Sequence, residues 1–104
     1  MNNNDLVNAL SLPPEQILEF IAHREAHKKV VWTPWRILRE VGLATRFEQE
    51  LEYNDRKLVR KNLADSLEEL AEKGILRRRA ELHGAGYGEE IGYDYIGSSE
   101  TSVS

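Results

Sequence analysis

Four bases crowd the start of one long segment: Arg56, Lys57, Arg60 and Lys61 precede Asp65, Glu68, Glu69 and Glu72. Bases about one helical turn apart suit an anionic partner, and a phosphate backbone repeats its charge along one direction. A helix built only for stability places acids first and bases last, because its macrodipole is positive at the N-terminus. Inverting that order costs roughly a few tenths of a kcal/mol per misplaced exposed charge. The inversion therefore hints that the basic end faces something anionic. The bland alternative is a solvated face, with Lys61 pairing Asp65 and Lys73 pairing Glu69 at i, i+4. Three more arginines, Arg77-Arg78-Arg79, follow in a stretch with the pattern of a strand. Alternation puts Arg77 and Arg79 on one face with Glu81, and Arg78 on the other with Leu76, Ala80 and Leu82. Arg77 and Arg79 either bind phosphates or pair with acids such as Glu90 and Asp94 on the neighbouring strand.

Other chemistry is sparse. His23 and His27 stand one helical turn apart, a spacing that can hold zinc. Arg24 occupies the place where the metalloprotease motif needs Glu, and no third ligand is evident, so an exposed helical surface is the better reading. Gly84-Ala85-Gly86-Tyr87-Gly88 lacks the Lys-Ser/Thr ending of a P-loop and reads as a turn that needs positive backbone angles. With no cysteine in 104 residues, disulfides and thiolate metal sites are excluded. No nucleophile–base pair stands out from spacing. The chain is read as a non-enzyme with no cofactor and no metal. Trp32 and Trp35 read as core packing on either side of Thr33-Pro34, and Tyr87 as the tyrosine most open to stacking or docking.

These residues need elements to position them. The length predicts one domain with a single modest core. Residues 1–12 read as a mobile, Asn-rich N-terminal arm in which Leu6, Val7 and Leu10 form at most a short packed turn. Ser11-Leu12-Pro13-Pro14-Glu15 is a helix start, and a helix is predicted from about Pro14 to His27 over the stripe Ile17, Leu18, Phe20 and Ile21. Lys29–Trp32 reads as a short strand. Thr33-Pro34 caps a short helix, Trp35–Val41, that ends at Gly42. The 43–54 segment, with Phe47 and Leu51 at i, i+4, is either a helical turn or two or an extended loop. A long helix is predicted over Asp55–Lys73, with Val59, Leu63, Leu67 and Leu70 on one face and Gly74 as its stop. Strands are predicted at Ile75–Leu82 and Ile91–Ile96 around a glycine-rich tip. The polar tail 98–104 reads as disordered. The domain itself is placed at 13–97.

This order of helix, short strand, helix, long helix, strand, loop and strand resembles the winged helix-turn-helix family over roughly Pro13 to Ile96. The passage Leu63-Ala64-Asp65-Ser66-Leu67-Glu68-Glu69-Leu70-Ala71-Glu72-Lys73-Gly74-Ile75-Leu76-Arg77-Arg78 carries most of the likeness. A leucine-spaced helix runs through a lysine–glycine stop into an aliphatic pair and arginine. The resemblance implies an α+β, mainly helical domain with a three-helix core, a short strand and a C-terminal β-hairpin wing. It makes Asp55–Lys73 the recognition helix, Trp35–Val41 the helix before it and Ile75–Ile96 the wing. It also implies a homodimeric transcriptional regulator that inserts the N-terminal half of the recognition helix into the major groove of double-stranded DNA.

On a helical wheel Lys57, Leu58, Lys61 and Asp65 lie opposite the leucine face, with Arg56 and Arg60 nearer its flanks. The expected DNA contacts are Lys57, Arg60 and Lys61, with Arg56 and Arg46 as supporting phosphate ligands and Arg77 and Arg79 as further candidates. Asn54, just before the helix, and Asn62 on it could bond an adenine edge, although Asn is also a common cap. Thr45 lies beside Arg46 in the connector, within reach of the same backbone.

The alternative is a winged-helix module that binds another protein and not DNA. The formal net charge is −4. Residues 51–80 hold eight bases against six acids, whereas 81–104 hold five acids and no Lys or Arg. A wing lying on phosphates would normally be basic. Leu58 on the outer face is also unusual for a DNA contact. No apolar run approaches the length of a membrane span, and the start lacks the basic region and apolar core of a secretory signal, so a cytoplasmic location is expected.

Overall fold

The computed structural model describes residues 3–27, 30–84 and 89–97. It is mainly helical, with five helices and a two-stranded antiparallel sheet among those residues. No helix among them is long and apolar enough to cross a membrane. The expected loop tip around Tyr87 and the tail 98–104 lie outside the described residues, as do Lys28 and Lys29 at the start of the predicted short strand.

Helix α1 spans Asn3–Leu10. Where the sequence suggested an arm with at most a packed turn, Leu6, Val7 and Leu10 are buried in the one hydrophobic core. The 1–12 boundary therefore does not separate an arm from the domain. Two polar side chains of the long helix fasten this segment. Asn62 Nδ2 donates to Ser11 Oγ at 2.9 Å, and Ser66 Oγ donates to the Leu12 carbonyl at 2.9 Å. Asn62 thus has a structural partner where an adenine edge was considered.

Helix α2, Pro14–Glu25, follows the cap at Pro13 and buries Ile17 and Ile21. At its end the Glu25 carboxylate accepts from the Val30 backbone N–H at 3.0 Å and from Trp32 Nε1 at 2.8 Å. That brings Trp32 into the core, fully buried, with the Phe20 ring edge-on at 6.0 Å. Trp32 makes a single bridge to Tyr93, with N···O distances of 2.8 and 2.9 Å. The predicted short strand is reduced to that one pairing among the described residues.

Helix α3, Pro34–Glu40, begins with Thr33 accepting from Arg36 N–H at 3.1 Å. Gly42, at φ 83°, ends it. Glu40 receives Arg24 and Arg36, each at 2.9 Å, which ties α2 to α3. The open question at 43–54 resolves as helix α4, Ala44–Glu50, with Phe47 buried against Trp35.

Helix α5, Tyr53–Glu72, starts two residues before the expected Asp55 and extends about 30 Å. Val59, Leu63, Ser66, Leu67 and Leu70 form its buried side. Gly74 closes it at φ 81°, and Ile75 N–H donates back to the Leu70 carbonyl at 3.0 Å. Strands β1, Leu76–Gly84, and β2, Glu89–Tyr95, pair with Arg77 opposite Asp94 and Arg78 opposite Tyr93. Between Arg78 and Leu82 the register shifts, because β1 spends four residues where β2 spends two. Such a bulge re-aims the strand.

Candidate nucleic-acid interface

The core claims one side of α5, so its opposite side is left to solvent. Lys57, Leu58, Lys61 and Asp65 are exposed, and Arg56 and Arg60 sit half-buried on the flanks. This is the wheel expected from the leucine spacing. Asn54 is also exposed, inside the first turn of α5 and not ahead of it. Tyr53 and Leu58 stand 58% and 46% exposed among these bases. Lys57 Nζ lies 5.5 Å from the Tyr53 ring centroid, within cation–π range.

The expected phosphate ligands divide by partner. Lys61 Nζ lies 2.9 Å from Asp65, the i, i+4 pair foreseen as the bland alternative. Both side chains are more than half exposed, so the pair is worth only about 0.5 kcal/mol and yields readily to a phosphate. Arg56 is more committed. Its Nη1 donates to the Leu51 carbonyl at 2.6 Å, bracing the α4–α5 junction. Arg46 lies on α4 and not in a connector, and its guanidinium meets Glu50 at 3.1 and 3.3 Å.

Arg77 and Arg79 converge on Asp94, at 3.4 and 3.0 Å, the cross-strand pairing weighed against phosphate binding. Asp94 is buried, which alone would raise its pKa. The Arg79 and Arg77 contacts together outweigh that and hold it below its ordinary value. The two arginines are thus drawn onto one internal acid, which offsets one of their two charges.

One constellation was not foreseen. Glu68 accepts from the Arg78 guanidinium, with Nε at 2.8 Å, and from the Tyr93 hydroxyl at 2.5 Å. A single carboxylate on α5 therefore binds both strands of the hairpin. Hydrogen bonds from Arg78 lead in lowering the Glu68 pKa; burial opposes them, and Tyr93 adds to the lowering. The Tyr93 phenol is pushed up, chiefly by burial and then by the adjacent carboxylate. The usable signal was the strand alternation, which set Arg78 and Tyr93 on the helix-facing side of the hairpin.

A groove of about 470 Å³ runs between α5 and β2. Pro34, Ala64, Ile91 and Tyr93 supply its apolar lining, and Arg60, Lys61, Asp65 and Glu68 its charged one. Ile91 is 42% exposed there. On β1 the exposed Arg77 and Arg78 continue the bases of α5, each in contact with a carboxylate, Asp94 or Glu68. His23 and His27 contact edge to face at 5.6 Å, and no group of three or more metal-ligating side chains occurs among the described residues. No family model matches the chain, and no curated protein and no solved structure matches it significantly.

Proposed function

We propose that the chain binds double-stranded DNA through the exposed side of the first half of α5, in the manner of a winged helix-turn-helix regulator. The observation that carries this reading is the division of labour on α5. Val59, Leu63 and Leu67 are fully buried, while Lys57 and Lys61 project from the opposite side, one turn apart. A helix so mounted can enter a major groove about 12 Å wide, with its bases near phosphates or base edges. Asn54 adds a donor and acceptor suited to an adenine edge. The hairpin after α5 and the Trp32–Tyr93 bridge support the winged-helix comparison. The contacts assigned are Asn54, Lys57, Arg60 and Lys61. Arg56 acts by bracing the start of the helix.

Selection from random duplexes, followed by titration at several salt concentrations, tests the assignment. Removing one phosphate ligand lowers the slope of log K against log salt by about 0.9, so Lys57→Ala with Lys61→Ala reduces it by roughly 2. Unchanged affinity and slope in that double variant would remove α5 from the interface.

A second reading rests on Tyr53 and Leu58. Two large apolar side chains exposed beside lysines suit a protein surface better than a phosphate backbone. On that reading the chain is an interaction module, retained by a specific partner and not by duplex DNA.

A further inference from the structure

Leu58 is the one large aliphatic side chain exposed on α5, at 46%, and the contacts assigned to Asn54, Lys57, Arg60 and Lys61 leave it unused. Around the helix axis it stands about 140° from Leu63, near the middle of the buried side, and Asn54 stands about 180° from Leu63. Asn54 and Leu58 are spaced i, i+4, so they are neighbours on the outer side, about 6 Å apart along the axis. Other polar residues complete the surround: Asp55 and Lys61 at three residues, Asn62 at four. Tyr53, the other large apolar side chain exposed on α5, already receives Lys57 Nζ at 5.5 Å from its ring centroid. An aliphatic group placed like Leu58 gains nothing from phosphate oxygens. On the floor of a major groove it meets base edges, which offer donors, acceptors and a single kind of methyl group, the C5-methyl of thymine.

We propose that α5 selects an A·T-containing element, in which Leu58 packs on the C5-methyl of a thymine while Asn54 bonds an adenine edge. This rests on the DNA reading of α5 and names the bases that it selects. The separation of about 6 Å along the helix corresponds to roughly two base steps of about 3.4 Å, so the thymine and the adenine lie within about two steps of one another. Lys57 and Lys61 fix the register on phosphates, which carry no sequence information, and Leu58 with Asn54 supplies the discrimination. Leucine and methyl leave water together. A cytosine in the thymine's place has no methyl and turns its amino group to the groove, where Leu58 would leave that donor without a partner. Leu58 thereby acts as a specificity determinant, and its exposure in the free chain has a use that phosphate contact does not give it.

The probe is the duplex that the full chain selects from a random pool, resynthesised with deoxyuridine in place of each thymine in turn. Uracil keeps thymine's pairing and its groove acceptor and lacks only the methyl. Titration by fluorescence anisotropy is expected to find a position where uracil weakens wild-type binding about fourfold, the contribution of one buried methyl group. Leu58→Ala, at an exposed position that leaves the core intact, is expected to bind the thymine duplex more weakly and to be indifferent to uracil at that position. Leu58→Met keeps an aliphatic reach and restores most of the uracil penalty. A selected duplex without A·T pairs overturns the proposal. So does a duplex in which no uracil is felt, or a uracil penalty of equal size in wild type and Leu58→Ala; in these cases DNA binding by α5 still stands. A chain that selects no duplex at any salt concentration overturns the DNA reading and this proposal together.

Discussion

Replacing Tyr93 by Phe isolates the hydrogen bond that ties the hairpin to α5. The ring is 3% exposed and keeps its packing in the variant. The variant lacks only the hydroxyl that donates to Glu68 at 2.5 Å. Glu68 retains Arg78, so no carboxylate is stranded. A hydrogen bond to a charged group contributes about 1.5–3 kcal/mol, and because Glu68 is about a third exposed, water replaces part of it. The lower end, about 1.5 kcal/mol, is the expected loss at neutral pH. For a domain of this size that lowers the melting midpoint by roughly 6–10 °C. The pH dependence carries a second signature. The folded pKa of Glu68 lies below its ordinary 4.5, so its contribution is complete above that value and fades as pH falls through the folded value. The folded pKa of Tyr93 lies above its ordinary 10.0, so the phenol's contribution is complete below 10.0 and is lost as pH rises beyond it towards the folded value. The gap between wild type and Tyr93→Phe should therefore narrow at both ends. Urea unfolding across the pH range measures it. Equal midpoints at neutral pH, with parallel pH profiles, would refute the reasoning.

Three further outcomes are expected. Deleting residues 1–10 removes the buried Leu6, Val7 and Leu10, at about 1.5–3 kcal/mol each, a loss comparable to a domain's whole stability of about 5–15 kcal/mol. Circular dichroism should show a largely unfolded chain, whereas an unchanged melt would restore the arm. Gly74→Ala places a side chain at φ 81° with no heavy atom within 4 Å of the new Cβ, so denaturant titration should report a loss of about 1 kcal/mol from backbone strain alone. Asp94→Asn removes the carboxylate charge that Arg77 and Arg79 share; it should flatten the decline in stability below pH 3.8, where the wild type loses this carboxylate's contribution, as urea unfolding at about pH 2–6 would show.

The helices were legible where their signals are local. Pro13-Pro14, Thr33-Pro34, Gly42 and Gly74 mark ends through backbone angles that neighbouring residues cannot change, and the boundaries of α2, α3 and α5 fell within two residues of expectation. Helix α4 was ambiguous because seven residues with one buried Phe carry too little periodicity to separate a helix from a loop. Helix α1 was undervalued for a related reason. Asn-rich and eight residues long, it is stabilised by the core it enters and not by its own propensity.

By itself the sequence determined the buried side of α5, and with it the exposure of Lys57 and Lys61, because 3.6-residue periodicity is a property of the chain. It also set the choice facing Arg77 and Arg79, phosphates or acids of the neighbouring strand such as Glu90 and Asp94. Only the tertiary structure shows both arginines meeting Asp94, and it alone brought Arg78 and Tyr93 to Glu68, Asn62 to Ser11 and Arg56 to the Leu51 carbonyl. The reason is physical. A long polar side chain reaches several residues in many directions, and the one it meets depends on how elements distant in sequence pack. Periodicity orients a residue on its own element, while packing selects its partner.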